Sequence, residues 1–408
     1  MTAGSRPTDG TARVRVVGIG ADGWSGLPAS SRGLIESAST VIGGERHLAL
    51  LPPNPDQARL PWPRPLRDGL HELLDGVNDV VVLASGDPLV SGIGTTLIDL
   101  LGADAVEVVP AVSSIALARA ALRWSADSCA VVSLVGRPVA RVLRELAPGR
   151  RILVLSSDES TPAAVAALLT GAGFGDSRLT ILGNLGSGTQ TCTEVLAHRF
   201  SGTAPRLNVV AIEAIGVSAG TSWSTGLPDS AYEHDGQLTK RDLRASALAR
   251  LAPTPGEHLW DVGAGAGSVG IEWMRSHPTC RTTAIEADPE RAARIARNAT
   301  ALGVPDLLVA HGRAPDVLTD LPAPDAIFIG GGATRPGVLD ACLAALRPGG
   351  RLVVHGVTLE TEVLLADAFR TYGGELTRIS VETTAPIGTF TGWTPTRAVT
   401  QWAYAAPQ

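Results

Sequence analysis

Asp261-Val262-Gly263-Ala264-Gly265-Ala266-Gly267-Ser268 decides the architecture of this chain. The preceding His258-Leu259-Trp260 is short and mostly apolar, and Val269, Ile271, Trp273 and Met274 begin a helical apolar pattern. The stretch predicts strand, glycine turn and helix, the βα unit that holds a nucleotide-like ligand. In such a turn one glycine allows the tight bend, one lets a ligand approach the main chain, and one lets helix and strand close up. Glu286 lies about twenty residues on, where an acidic side chain accepts hydrogen bonds from ribose hydroxyls. A glycine turn followed by an acid serves a dinucleotide as well as a sulfonium nucleoside. A dehydrogenase and a methyltransferase therefore both remain open on these residues alone.

Working outward, further strands are predicted at Thr282–Ala287, Leu307–His311, Ala326–Ile329 and Leu352–Val357, with a final pair near Leu376–Glu382 and Ala398–Ala403. Helices alternate with them at Glu290–Leu302, Gly337–Leu346 and Glu360–Tyr372, and Asp288-Pro289 supplies a cap and first-position proline. Seven strands closing on a hairpin-like pair suit a Rossmann-type methyltransferase better than a dehydrogenase. Upstream, the helix Asp242–Leu251 follows Thr239-Lys240-Arg241. Thr239 is either a plain cap or a hydroxyl facing a ligand.

The first half has the same texture. Val14–Gly20 runs into a glycine turn at Gly18 and Gly20, and Thr40-Val41-Ile42 is the next strand. Pro52–Pro65 reads as a surface connection because of its prolines. Asp79–Ala84 reads as a strand buried on both faces. It ends in Ser85-Gly86-Asp87-Pro88, where Gly86 would let a ligand touch the backbone. Asp87 is either a ligand carboxylate or an ordinary Asx turn. Gly92 and Gly94 open a helix Thr95–Leu101 whose free N–H groups suit an anion. Ser113 and Ser114 either cap the helix Ile115–Leu122 or face a ligand. Strands at Val131–Leu134, Ile152–Leu155, Leu179–Leu182 and Leu207–Ile212 complete an α/β domain. Residues 1–12 read as a disordered tail, 13–215 as one domain, 216–229 as a small, polar linker and 230–408 as a second domain.

Composition bounds the function. The 408 residues suffice for two or three domains, and the net charge of −6 argues against general nucleic-acid binding. Lys240 is the only lysine among 34 basic residues. The four cysteines and eight histidines show no metal-ligand spacing, so no metal is expected. No apolar run reaches the ~18 residues of a membrane span, and no signal-peptide apolar region opens the chain. A soluble cytoplasmic protein is expected.

Residues 13–215 resemble the tetrapyrrole methylase family, in its C-5 methylating branch. The match rests on Val17-Gly18-Ile19-Gly20-Ala21-Asp22-Gly23, on Val41-Ile42-Gly43-Gly44-Glu45-Arg46-His47-Leu48, on Ala84-Ser85-Gly86-Asp87-Pro88 with Gly92-Ile93-Gly94, and on Val109-Pro110-Ala111-Val112-Ser113-Ser114. Many relatives carry proline in place of Ala21 and histidine in place of Val135. Residues 230–408 resemble the C-15 methylating, decarboxylating branch, through His234–Arg241, Trp260–Gly265, Ile285-Glu286-Ala287-Asp288-Pro289 and Phe328-Ile329-Gly330-Gly331-Gly332.

The resemblance implies an N-terminal two-lobed tetrapyrrole methylase (class III methyltransferase) fold and a C-terminal Rossmann-like class I methyltransferase fold. It implies two S-adenosyl-L-methionine sites. One would lie between the lobes near Gly18, Gly20, Ser85, Gly86, Asp87, Gly92, Ser113 and Ser114. The other would run along Gly263, Ala264, Gly265, Ala266 and Gly267, with Glu286 on the ribose and Thr239 and Ala314 nearby. The implied substrate is precorrin-6B, methylated at C-5 and C-15 and decarboxylated at its C-12 acetate in cobalamin biosynthesis. Another tetrapyrrole or small molecule is the alternative. No acid–base pair stands out, so the second half is expected mainly to position the acetate and exclude water. Arg335, Arg241 and Lys240 are candidate partners for substrate carboxylates, against the plain reading of solvated or structural cations. No nucleic-acid or membrane partner is expected; a homo-oligomer is.

Overall fold

The computed structural model describes residues 14–63, 65–74, 80–217 and 222–408. The expected tail at 1–12, Asp79 at the head of one predicted strand, and residues 218–221 of the expected linker lie outside the described residues. The chain divides into two compact units. One runs to Arg137 and resumes over Gly149–Ile215; the other comprises Pro138–Pro148 and Gly216–Gln408.

The first unit holds two sheets. Strands β1 (Val14–Ile19), β2 (Thr40–Gly43), β3 (Ala58–Pro61), β4 (Val80–Ser85) and β5 (Val106–Val109) form a sheet of order β3-β2-β4-β1-β5. All its pairings are parallel. Helices α1 (Ala29–Ser37), α2 (Glu45–Ala49), α3 (Leu66–Leu74) and α4 (Ile93–Leu101) alternate with the strands, and α5 (Ser114–Leu122) follows β5. Strand β4 is buried from Val80 to Ala84 and opens only at Ser85, so its apolar run threads the core and delivers a hydroxyl to the edge. Strands β6 (Cys129–Ser133), β7 (Arg151–Leu155), β8 (Arg178–Gly183), β9 (Thr191–Leu196) and β10 (Asn208–Glu213) form the second sheet, of order β6-β7-β10-β8-β9. Only β6 and β7 pair in parallel there; β10 and β9 run against their neighbours.

Within the second unit the segment Pro138–Pro148 carries α6 (Val142–Glu145), whereas α7 (Thr161–Gly171) belongs to the first. After α8 (Arg241–Leu251), the strands are β11 (His258–Val262), β12 (Arg281–Glu286), β13 (Leu308–His311), β14 (Ala326–Ile329), β15 (Arg351–Gly356), β16 (Glu375–Ile379), β17 (Glu382–Ile387), β18 (Phe390–Pro395) and β19 (Val399–Ala405). Interleaved with them are α9 (Ser268–Ser276), α10 (Pro289–Ala301), α11 (Val338–Ala345) and α12 (Leu359–Tyr372). The seven-stranded sheet has order β13-β12-β11-β14-β15-β19-β16. It is parallel except at β19, which runs against both β15 and β16. Strand order reverses between β11 and β14, and crevices for ligands open at such points. Trp260, Trp273 and Trp402 are almost wholly buried around this sheet.

Three expectations need correcting. Pro52–Pro65 contains the edge strand β3, and β9 and the β17–β18 hairpin went unpredicted. Helix α4 starts at Ile93, with Gly92 at its cap and Gly94 inside it. The linker is shorter than 216–229, because Gly226 and Leu227 are built into the second unit. Both donate their N–H groups to the buried Glu272 carboxylate, at 2.6 and 3.0 Å. Glu272 also accepts from Tyr232 Oη at 2.9 Å and from Arg244 Nε at 2.6 Å. Arg244 has no exposed surface and donates further to the carbonyls of Leu227 and Thr239.

Candidate active site

Each unit has a cleft at the ends of its strands. In the second unit, a cavity of about 670 Å³ is walled by the glycine turn, by Gly236–Lys240 and by the Gly330–Gly332 loop. The turn is fixed from below: the N–H groups of Gly263 and Ala264 both donate to Ile285 O, at 3.0 and 3.2 Å. Glu286, 7% exposed, accepts from Gly265 N at 2.9 Å through one oxygen and from Asp288 N at 3.0 Å through the other. These bonds orient the carboxylate at the cleft and leave lone pairs for hydroxyl donors. Gly265 has φ +60°, and a Cβ on it would sit 2.9 Å from Gln237 O. The loop bearing Thr239 therefore lies directly over the turn. Asp235 pins that loop to α10, accepting from Gln237 N at 3.1 Å and from Arg291 Nε at 2.8 Å. The Arg291 bond, with that of Gln237, holds the Asp235 carboxyl well below its ordinary range.

Of the residues anticipated here, Thr239, Lys240, Gly263, Ala264, Gly265, Glu286, Ala314 and Arg335 line the cavity. Ala266, Gly267 and Arg241 do not. Ala266 is buried, and Gly267 faces α10, where a Cβ would meet Ile295 at 2.8 Å. Arg241 opens α8, with its side chain along Gly226. Nor is Thr239 a cap: Lys240 holds the cap position with no side-chain bond, and its Nζ lies 3.5 Å from the Asp229 carboxylate. Sequence reading missed Arg291, Arg313, Arg397 and His355, which line the same cavity. Arg313, Arg335 and Arg397 are exposed and form no ion pair among the described residues. Nothing local marks Arg313 or Arg397 as binding residues; only sheet order brings residues so far apart in sequence to one rim.

The first unit's cleft, about 380 Å³, draws lining from both sheets. Gly20, Ser85, Gly86, Asp87, Gly92, Ser113 and Ser114 line it, as do Ala21 and Val135. Gly18 does not. It lies under the floor, where a Cβ would fall 1.9 Å from Gly86 O. Gly86, at φ +52°, joins the strand ends, donating to Ile19 O at 3.0 Å and accepting from Ala111 N at 3.1 Å. Asp87 forms the ordinary turn, its Oδ1 accepting from Leu89 N at 2.9 Å, while still bordering the cleft. Ser113 caps α5 through Ala116 N at 3.1 Å.

Unforeseen is a polar group on the same wall. Arg46 Nη2 lies 2.7 Å from His47 Nε2 and donates to Ser85 Oγ at 3.0 Å, and His47 Nε2 is 2.9 Å from that Oγ. Burial, then the Arg46 charge, lowers the His47 pKa to about 4. Because a guanidinium only donates, Nε2 is occupied as an acceptor. His47 therefore cannot serve Ser85 as the base of a nucleophilic pair.

A seven-stranded sheet with one reversed interior strand, a glycine-turn cleft, and a separate two-sheet α/β unit with its own cleft define a two-domain methyltransferase. Residues 13–198 match the family of tetrapyrrole (corrin/porphyrin) methylases, and 230–406 match the precorrin methyltransferase domain. The chain is 46% identical over 394 residues to a precorrin-6Y C(5,15)-methyltransferase (decarboxylating) of Sinorhizobium sp, covering 95% of each. It is 44% identical over 393 residues to the protein so named from Mycobacterium tuberculosis, covering 95% of this chain and 98% of that one. The crystal structure of the C-terminal domain of precorrin-6Y C5,15-methyltransferase from Rhodobacter capsulatus is 41% identical, spans 45% of this chain and all of its own, and has a TM-score of 0.44. The chain belongs to the precorrin-6Y C(5,15)-methyltransferase (decarboxylating) family. It is thus a methyltransferase of cobalamin biosynthesis, a class that uses S-adenosylmethionine.

Proposed function

We propose that the chain methylates precorrin-6B at C-5 in the first unit and at C-15 in the second, and removes the C-12 acetate carboxyl as carbon dioxide, giving precorrin-8. Each cleft takes its own S-adenosylmethionine, which supplies an electrophilic methyl group. The residues of the second cleft fit that donor. Gly263 and Gly265 let the Gly331 and Gln237 loops close on the turn that lines the cleft, and Glu286 offers oriented acceptors to ribose hydroxyls. In the first cleft Gly20, Gly86 and the Ser113-Ser114 turn offer backbone and hydroxyl groups in the same manner.

The observation that carries the substrate reading is the rim of the second cleft. Arg313, Arg335 and Arg397 line this cleft and form no ion pair among the described residues. Guanidinium forks so placed suit an acceptor that bears several carboxylates. The walls then align donor and acceptor and keep water away. Incubation of the full chain with precorrin-6B and S-adenosylmethionine should yield a product heavier by two methyl groups and lighter by one carbon dioxide. Calorimetry with S-adenosylhomocysteine should show two sites per chain. A single methylation, or a single site, would overturn this assignment.

A further inference from the structure

His355 closes β15 on the wall of the second cleft, and no role described so far uses it. Its Nε2 lies 2.9 Å from Oε1 of Gln401, its partner in register on β19. Gln401 has no exposed surface, and Phe328 meets the imidazole edge-on with ring centroids 5.0 Å apart. The ring is therefore held on two sides. With the Gln401 amide oxygen set toward the ring, Nε2 carries the ring proton and Nδ1 the lone pair. Among the described residues Nδ1 has no hydrogen-bond partner, and the residue lines the cleft. Burial lowers the pKa of the ring, which keeps it neutral and able to accept.

We infer that His355 Nδ1 is the proton-transfer group of the second cleft, an inference that rests on reading this cleft as the site of C-15 methylation and decarboxylation. Both reactions need a proton moved. As C-15 commits an electron pair to the methyl carbon, the pair of the broken S–C bond stays on sulfur, and the ring becomes a conjugated imine cation. Nδ1 takes the hydrogen of C-15 as a proton, and the C–H pair restores the conjugation. Loss of carbon dioxide sends the C–C pair of the acetate into the ring system, and the exocyclic carbon then needs a proton to become methyl. Nδ1 returns the one it holds. A C–H bond, a methylsulfonium and a CH₂–carboxylate thus give two C–CH₃ groups, a thioether and carbon dioxide, with no oxidant or further acid. A group that accepts and returns a single proton suffices for both halves.

The test uses the full chain carrying His355→Ala or His355→Gln, with precorrin-6B and S-adenosylmethionine, products being resolved by mass. C-15 methylation and decarboxylation should fall about 10²- to 10⁴-fold in both variants. S-adenosylhomocysteine should still bind at two sites. Added imidazole should restore activity to His355→Ala, where the ring has been deleted, but not to His355→Gln. Wild-type rates in the alanine variant, or a loss that imidazole does not repair, would overturn the assignment. Loss of nucleoside binding in step with activity would do so too, by making the ring a packing element. A wild-type chain that never methylates C-15 would sink the proposed function instead.

Discussion

Glu272→Ala should unlatch the entrance to the second domain. The carboxylate accepts from four donors: the N–H groups of Gly226 and Leu227, Tyr232 Oη and Arg244 Nε. Its removal leaves the unexposed Arg244 with carbonyl partners and, at 3.4 Å, one oxygen of Asp229. Stripping a buried charge of its partner costs about 3–5 kcal/mol. Each other orphaned donor would add about 1–3 kcal/mol if left dry. Water entering the vacated space limits that sum, so a loss of about 4–6 kcal/mol is expected, a large share of a domain's stability. Urea unfolding followed through S-adenosylhomocysteine binding to this domain reads the effect. Because Arg244 also holds the Thr239 carbonyl, nucleoside affinity should weaken even at low denaturant. Arg244→Ala with Glu272→Ala should cost less than the sum of the single changes by about 2–3 kcal/mol. An unchanged midpoint in Glu272→Ala, or a strictly additive pair, would refute the view that this carboxylate pins the segment.

Other expectations concern the clefts. Gly265→Ala forces a side chain at φ +60° against Gln237 O and should abolish nucleoside binding to the second cleft while sparing the first, seen by calorimetry as one lost site. Glu286→Gln turns an amide N–H₂ toward a backbone N–H and should weaken S-adenosylhomocysteine binding about tenfold or more. Arg335→Ala should raise KM for the tetrapyrrole about tenfold and leave the nucleoside Kd unchanged; equal loss of both would mark a folding role. Asp261 is pushed by burial from 3.8 up to about 7. The folded state therefore holds a proton there that the unfolded state has released. Stability should fall as pH rises from about 4 to about 7, and stay low above it. Asp261→Asn, which keeps an oxygen for Gly270 N, should flatten that slope in thermal melts at pH 5 and 8.

What could be read in advance followed from backbone demands. The glycine turn was legible because Gly263, Gly265 and Gly267 each meet a neighbour too close for a side chain, namely Gly331, Gln237 and Ile295. The buried strands β4 and β11 announced themselves as apolar runs. Two edge strands did not: β3 ends in proline and β9 is mostly exposed, so neither carries a core signature. The glycine part of the cleft lining was legible for the same reason as the turn. The wall above it was not, since Arg313, Arg397 and His355 carry no local motif and meet only through sheet topology. Ala266, Gly267 and Gly18 illustrate the converse: they belong to the motifs, yet point at packing rather than at the cleft.

Strand β19 sits between β15 and β16, one place in from the sheet edge, with Trp402 fully enclosed. During synthesis, five parallel strands and the edge partner β16 leave the ribosome before the residue run that stitches them together exists. The nascent domain must therefore wait with an open seam, a state prone to capture by other chains. A stop codon that removed Val399–Ala405 would cut the edge strand β16 off from the sheet rather than trim an edge. An affinity tag fused directly after this strand would press on the seam at the moment of closure.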